Sequence, residues 1–162
     1  MKKIMVICCV LISGLAALSA DATHPLAFLY GDWEGEGKTS GLVASIRHTW
    51  KSALNGQYTT LQLHNRMTGE DGQTFVFEGT GYYQSANENA LTGVWIDSQG
   101  NILPLHATID DLTFVVIWGN EESKLGRSVY RLLPGGELEA VNSIKGQAGE
   151  WEEFGRAVLK RK

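Results

Sequence analysis

The sequence predicts an all-β protein, a single closed antiparallel up-and-down β-barrel of about ten strands. Apolar and polar residues alternate along most of the chain after residue 30, and Gly-, Asn- and Asp-rich turn signals interrupt that alternation at short intervals. Helical periodicity is confined to a short lead from Pro25 to Tyr30. Closure is the simplest way for so many short strands to leave no exposed sheet edge.

The strands follow one another with tight connections, so each is predicted to pair with the next. They are expected near residues 31–38, 43–52, 56–67, 73–84, 90–97, 101–109, 111–119, 124–133, 137–145 and 149–160. Clear turn signals separate them, among them Asn55-Gly56, Gly69-Glu70-Asp71-Gly72, Ser98-Gln99-Gly100, Asp110-Asp111, Pro134-Gly135-Gly136 and Gly146-Gln147-Ala148-Gly149.

Residues 1–22 are predicted to be a signal peptide, which leaves a barrel domain over residues 23–162. Two lysines precede an apolar run, and small residues near its end favour cleavage after Ser19 or after Ala22. The run is too short for a comfortable membrane-spanning helix. The predicted location is therefore periplasmic or secreted.

Cysteine use and charge limit the partners of the mature chain. Cys8 and Cys9 lie within the apolar run, so they do not fit a lipid-anchored cysteine and leave with the signal. With cleavage after Ser19, 12 basic and 18 acidic residues remain, a formal charge of −6. An acidic chain without a basic run predicts no nucleic-acid partner and no membrane contact after signal cleavage.

The first strand carries the clearest pattern of two faces. One face holds glycines and a single large side chain, and the other holds charges; the first set is Gly31, Trp33, Gly35 and Gly37, and the second is Asp32, Glu34, Glu36 and Lys38. Glycines allow a sheet to coil tightly, as the wall of a small barrel must. We expect Trp33 to be buried at the closed end of the barrel in a structural role.

Strand register follows from the length of each turn. A two-residue turn at Gln99-Gly100 would place Trp95 opposite Pro104, and one at Asp110-Asp111 would place Leu105 opposite Val116. The more apolar face should then point inward, and it comprises Val94, Ile96, Leu103, Leu105, Phe114, Val116 and Trp118. This register leaves Trp95 outside, where an exposed tryptophan would favour a homodimer contact.

Gly31-Asp32-Trp33 near the start of the meander, with Arg156 on the final strand, resembles the lipocalin and fatty-acid-binding (calycin) pattern. In that family a Gly-x-Trp tryptophan packs under an arginine from the last strand, which implies structural roles for Trp33 and Arg156. Fatty-acid-binding barrels also hold a ligand carboxylate with an arginine and a tyrosine. The resemblance thus makes Arg127 and Tyr130 candidate ligand contacts.

A longer pattern resembles an uncharacterised family of bacterial secreted β-barrel proteins, a domain of unknown function. It comprises Leu29-x-Gly31-x-Trp33-x-Gly35-x-Gly37, Trp50, Leu54-x-Gly56, Gly79-x-Gly81-Tyr82, Trp95-x-Asp97-Ser98-x-Gly100, Gly126-Arg127 and Gly149-x-Trp151. That likeness implies a fold and no reaction. The first strand is also similar to that of nitrobindin-type haem barrels, which take their iron ligand from a histidine on a late strand. No histidine follows His106 here, so neither haem nor another cofactor is predicted.

Residues that could support catalysis or metal binding have simpler structural explanations. His48, His64 and His106 lie on separate strands without paired spacing, so no metal site is predicted. The carboxylates form clusters that we expect to be solvated, namely Glu34 with Glu36, and Glu150 with Glu152 and Glu153. Asp97 and Ser98 fall in a hairpin turn, where such side chains bond local backbone. No catalytic residue is predicted, and the balance is against an enzyme.

The predicted function is binding of a small, partly apolar or amphipathic molecule in the lumen, with Trp95, Arg127 and Tyr130 as ligand-binding candidates. Arg127 and Tyr130 lie on opposite faces of one strand, so only one of them can enter the lumen. Two alternatives remain: an enzyme of unnamed reaction on the same barrel, and a filled barrel that acts through its surface or as a dimer.

Overall fold

Ten antiparallel strands close into a barrel in a computed structural model that describes residues 24–85, 89–120 and 124–162. The strands are β1 (Gly31–Thr39), β2 (Leu42–Ala53), β3 (Tyr58–Thr68), β4 (Thr74–Ser85), β5 (Ala90–Asp97), β6 (Ile102–Asp110), β7 (Thr113–Gly119), β8 (Leu125–Leu132), β9 (Leu138–Lys145) and β10 (Trp151–Arg161). Each strand pairs with its neighbours in sequence, and β1 pairs with β10 to close the sheet. The predicted fold class is therefore confirmed. The predicted signal peptide lies outside the described residues.

The two faces of β1 are as the alternation predicted. Gly35 and Gly37 lie where the backbone of β10 approaches closely: a Cβ at either position would be 2.2 Å from a carbonyl oxygen. On the outer face, Glu34 accepts a 2.6 Å hydrogen bond from Arg47 and pairs with Lys162 at 2.6 Å. The glycines thus allow close strand packing, and the charges form surface ion pairs.

One end of the barrel is closed by the segment that precedes β1. A short 3-10 helix (Ala27–Leu29) places Leu29 in the lumen, and Leu26 and Leu29 are both fully buried. Trp33 is also fully buried, and its Nε1 donates a 2.6 Å hydrogen bond to the Leu29 carbonyl. The indole and the lead segment therefore form one plug.

An arginine from the last strand covers Trp33, and that arginine is Arg161. Its guanidinium carbon lies 4.2 Å from the centre of the Trp33 ring, and its nitrogens donate hydrogen bonds to the carbonyls of Tyr30 and Phe28. Arg156 points to the outer face, where it pairs with two glutamates of β9 and β10. The expected partner of Trp33 on β10 was therefore misplaced, because the strand continues beyond its predicted end at residue 160.

Aromatic side chains fill the half of the lumen next to this plug. Trp50, Tyr83, Phe114 and Tyr130 are at most 4% exposed, and their ring centres lie 5.1–6.1 Å apart in stacked and edge-on contacts. Aromatic pairs at these distances contribute about 0.5–1.5 kcal/mol each beyond the area they bury. The main core of the protein is thus at the closed end.

The register between β5 and β6 differs from the predicted one by a single residue. Trp95 pairs with Leu103, not with Pro104, because the turn contains three residues, 98–100. Gly100 has a φ of +83°, which suits the three-residue hairpin in which a glycine ends the loop. The shift turns Trp95 inward and moves Val94 and Ile96 to the outer face.

The register between β6 and β7 differs by two residues, which leaves the faces unchanged. The turn is Asp111-Leu112, so Leu105 pairs with Trp118. Leu103, Leu105, Phe114, Val116 and Trp118 therefore face the lumen as predicted. In the described part of the chain, no helix has the length and apolar character needed to span a membrane.

Candidate functional site

A cavity of about 430 Å³ occupies the half of the lumen that the aromatic core leaves open. It lies toward the end of the barrel that carries the turns β1–β2 and β5–β6, since Ser40 and Gln99 line it there. Cavities of this size hold small organic ligands in other proteins. The lumen therefore has room for a ligand and is not completely filled by side chains.

The walls of the cavity are mostly apolar and aromatic. Trp95 stacks near Phe77 with ring centres 6.4 Å apart, and Trp118 meets Phe154 edge-on at 6.5 Å. Aliphatic side chains complete these walls, namely Leu63, Met67, Leu103, Leu105 and Val116. Tyr83 and Tyr130 form the floor, where the cavity meets the aromatic core. Such walls suit a ligand with flat or branched apolar groups.

A connected set of polar side chains crosses one wall. Trp118 Nε1 donates a 3.2 Å hydrogen bond to Ser128 Oγ, which donates a 2.7 Å hydrogen bond to Asn142 Oδ1. Ser128 is 7% exposed, so these bonds satisfy a buried hydroxyl. The set fixes the orientation of the Trp118 indole at the cavity.

Asn65 lines the cavity with an amide that is only partly bonded. Its Nδ2 donates a 3.1 Å hydrogen bond to Thr39 Oγ1, whereas its buried Oδ1 has no partner. The residue is 7% exposed. A buried acceptor without a partner costs about 1–3 kcal/mol. A bound ligand that donates a hydrogen bond to Asn65 would recover that free energy.

The ionisable groups beneath the cavity are held neutral by burial. Burial lowers the pKa of His48 to about 4, and its Nδ1 has no hydrogen-bond partner. Burial also raises the pKa of Tyr130 to about 12 and that of Tyr83 well above its usual value. The His48 ring meets Tyr130 edge-on, with ring centres 5.7 Å apart. None of these groups titrates near neutral pH, where a general acid or base works best.

A fixed carboxylate lies at the rim. Trp95 Nε1 donates a 3.1 Å hydrogen bond to Asp97 Oδ2, and the Asn101 amide and the Gln99 backbone donate to the same carboxylate. Burial raises the pKa of Asp97, but these hydrogen bonds outweigh it, so the pKa lies below its usual value. The carboxylate therefore holds the Trp95 indole in place and closes the β5–β6 turn.

The three ligand-binding candidates from the sequence are divided between two faces. Trp95 and Tyr130 line the cavity. Arg127 faces outward, and its guanidinium carbon lies 4.7 Å from the centre of the Trp151 ring. Of the pair on β8, the tyrosine is the one that enters the lumen. The outward register of Trp95, which favoured a dimer contact, does not occur.

The other chemical candidates lie mainly on the surface. His64 is on the outer face beside Glu78 at 3.0 Å, and His106 is exposed, so neither meets His48 in the lumen. Among the described residues, no three His, Cys, Asp or Glu side chains are grouped as a metal site would need. Ser98 Oγ accepts a hydrogen bond from the backbone N–H of Glu78 on β4, 20 residues away, and not from the local turn backbone that was expected.

Sequence reasoning missed three polar side chains of the cavity that the strand period could have found. These are Asn65, Ser128 and Asn142. Asn65 shares a strand face with Leu61 and Leu63, and Ser128 shares one with Tyr130. An inward-facing polar residue among apolar ones was the available signal.

Comparison with known proteins supports the fold and gives no activity. No protein-family model and no curated protein matches this chain. The crystal structure of Rv2717c from M. tuberculosis is similar, with a TM-score of 0.64 and 17% sequence identity, over 90% of this chain and 98% of that one. At this identity the likeness is one of fold alone.

Proposed function

We propose that this protein binds a small, partly apolar or amphipathic molecule in the lumen of its barrel. The observation that carries the proposal is the cavity of about 430 Å³, with aromatic walls and a few buried polar groups. Ligand sites in proteins share this composition, in which apolar walls supply affinity and sparse polar groups fix orientation. The calycin resemblance and a predicted signal peptide support a carrier or sequestering role in the periplasm or outside the cell.

The enzyme alternative has less support. Catalysis by proton transfer needs a group whose pKa lies near the working pH. Burial raises the pKa of Tyr130 on the cavity floor to about 12, and it lowers the pKa of His48, which packs against Tyr130, to about 4. The filled-barrel alternative predicts little internal space, which the cavity volume disfavours.

Titration with Nile red, an uncharged dye whose fluorescence rises in apolar surroundings, tests the proposal. Leu103 lines the cavity, and its neighbour Ile102 is 71% exposed on the outer face. Leu103→Trp adds volume inside the cavity, whereas Ile102→Trp adds the same ring outside. We expect wild type and Ile102→Trp to bind the dye equally and Leu103→Trp to bind at least tenfold more weakly.

Arg127→Ala provides a second control in the same titration. Because Arg127 packs on Trp151 outside the lumen, its removal should leave dye binding unchanged. Equal binding by Leu103→Trp and wild type would move the site out of the lumen. Failure of every apolar probe to bind wild type would favour the barrel that acts through its surface.

A further inference from the structure

We infer that the lumen selects an uncharged, planar aromatic ligand that carries a hydrogen-bond donor, and that Asn65 recognises the donor. The inference rests on the proposed function and names the chemical class of its ligand. It follows from the charge of the cavity walls, their shape and the unpaired amide oxygen of Asn65.

The charge of the walls argues against a carboxylate ligand. Among the described residues that line the cavity, the cation is Lys124, and it is exposed at the rim. The carboxylate is Asp97, whose oxygens already accept hydrogen bonds from Trp95 and Asn101. A ligand anion buried away from the rim would therefore lose its hydration without pairing with a cation, a large cost. An uncharged ligand avoids that cost.

The shape of the walls favours flat rings. Trp95 and Trp118 both line the cavity, and each indole is held by a hydrogen bond from its Nε1, to Asp97 and to Ser128 respectively. Indoles fixed in this way present rigid apolar surfaces at small cost in conformational entropy. Aromatic ligands stack or meet edge-on with such surfaces, as the aromatic side chains of the core do with one another.

Asn65 supplies the polar contact. Its Oδ1 is a buried acceptor without a partner, while its Nδ2 donates a hydrogen bond to Thr39. The amide oxygen of Asn142, by contrast with that of Asn65, already has a partner, because it accepts a hydrogen bond from the Ser128 hydroxyl. The unmet requirement at Asn65 is thus for a donor, such as a phenolic O–H or an aromatic N–H.

Three naphthalene probes separate these requirements. At pH 7, 2-naphthol is uncharged and has a donor, 2-methoxynaphthalene is uncharged and has none, and 2-naphthoate is an anion. We expect wild type to bind 2-naphthol about tenfold more tightly than 2-methoxynaphthalene, as one buried hydrogen bond supports. We expect 2-naphthoate to bind at least tenfold more weakly than 2-naphthol.

A matched pair of variants tests the role of Asn65. Asn65→Leu removes the amide at similar volume and should abolish the preference for 2-naphthol, while 2-methoxynaphthalene still binds within about threefold of wild type. Gln62→Leu removes an exposed amide from the outer face of the same strand. It should change neither the preference for 2-naphthol nor the affinity for 2-methoxynaphthalene. The order of the three probes by affinity is measured on wild type alone, so it tests the inference even if Asn65→Leu fails to fold.

The failures of the two proposals are distinguishable. Equal binding of the three probes, or tightest binding of 2-naphthoate, would overturn the inference and leave the lumen as a binding site. A preference for 2-naphthol that persists in Asn65→Leu would remove Asn65 as the recognising residue. No binding of any probe to wild type would overturn both the inference and the proposed function.

Discussion

Burial of a neutral histidine should make this barrel lose stability in mild acid. His48 is 2% exposed, and burial lowers its pKa from an ordinary 6.5 to about 4. When the folded pKa is the lower one, the unfolded chain takes up the proton first. Stability is then fully present above about pH 6.5 and falls with pH until the folded state also protonates, near pH 4.

The size of the effect follows from these two values. Between pH 6.5 and pH 4 the unfolded state holds up to one proton more than the folded state, so the free energy of unfolding falls by at most about 1.4 kcal/mol per pH unit. Integration from pH 7 to pH 5 gives a loss of about 2 kcal/mol. That is a large share of the stability of a typical domain.

Urea unfolding at several pH values between 7 and 5 measures this loss. His48→Gln replaces the ring with a group that does not titrate, and it should flatten the pH dependence whatever it does to absolute stability. His106→Gln is the control, because His106 is exposed on the outer face and should leave the dependence as in wild type. Unchanged stability of wild type across this range, or a slope that survives in His48→Gln, would refute the reasoning.

Three further perturbations test the closed end of the barrel and the pairing of β1 with β10 that closes the sheet. Trp33→Ala should lower the free energy of unfolding by about 3–5 kcal/mol, the range for an aromatic side chain lost from a core; a melting temperature within a degree or two of wild type would contradict this. Arg161→Ala should cost about 2 kcal/mol in urea unfolding, since it removes charged hydrogen bonds to two carbonyls. Arg156→Ala should change the free energy of unfolding by no more than about 0.5 kcal/mol. A larger loss for Arg156→Ala than for Arg161→Ala would contradict the structural role given to Arg161. Gly35→Ala should cost about 1–3 kcal/mol, because its Cβ would lie 2.2 Å from a carbonyl oxygen of β10. Gly135→Ala has open space around it and should be nearly neutral in the same urea unfolding assay. Equal stabilities of the two variants would show that β1 and β10 can move apart to make room for the added methyl group.

Alternation and turn residues were sufficient to predict the strands and the closure of the barrel. Every predicted strand is present with ends within two residues of those observed. The reason is physical: a half-buried strand must alternate, and the connections are short enough that their Gly, Asn and Asp residues mark each turn. The face assignment of β1 held for the same reason, since its glycines meet the β10 backbone.

Register was harder to predict, because it depends on the length of each turn. The β5–β6 turn has three residues and not two, which shifts the register by one. Trp95 therefore faces the lumen and Ile96 faces outward, the reverse of the predicted arrangement. The Asp97 carboxylate bonds the backbone of that turn, a tertiary detail that composition does not reveal. The arginine over Trp33 was misplaced because β10 extends to Arg161, which pairs with Trp33, whereas Arg156 pairs with Lys38.

The cavity could be predicted only as a general property of small barrels. Its volume depends on how far the aromatic cluster around Trp50 extends along the lumen, which is decided by packing between strands that are distant in sequence. The unpaired oxygen of Asn65 likewise depends on a bond to Thr39, 26 residues away. Neither feature has a local signal in the chain.

Methyl NMR with 2-naphthol as ligand tests most directly whether a small molecule binds inside this barrel. Leu105 and Val116 line the cavity, whereas Ile102 and Val115 lie on the outer faces of the same two strands. Binding in the lumen predicts saturable shifts of the Leu105 and Val116 methyl signals at one affinity, with those of Ile102 and Val115 unmoved. Shifts confined to the outer methyls, or no shifts at all, would contradict a ligand site in the lumen.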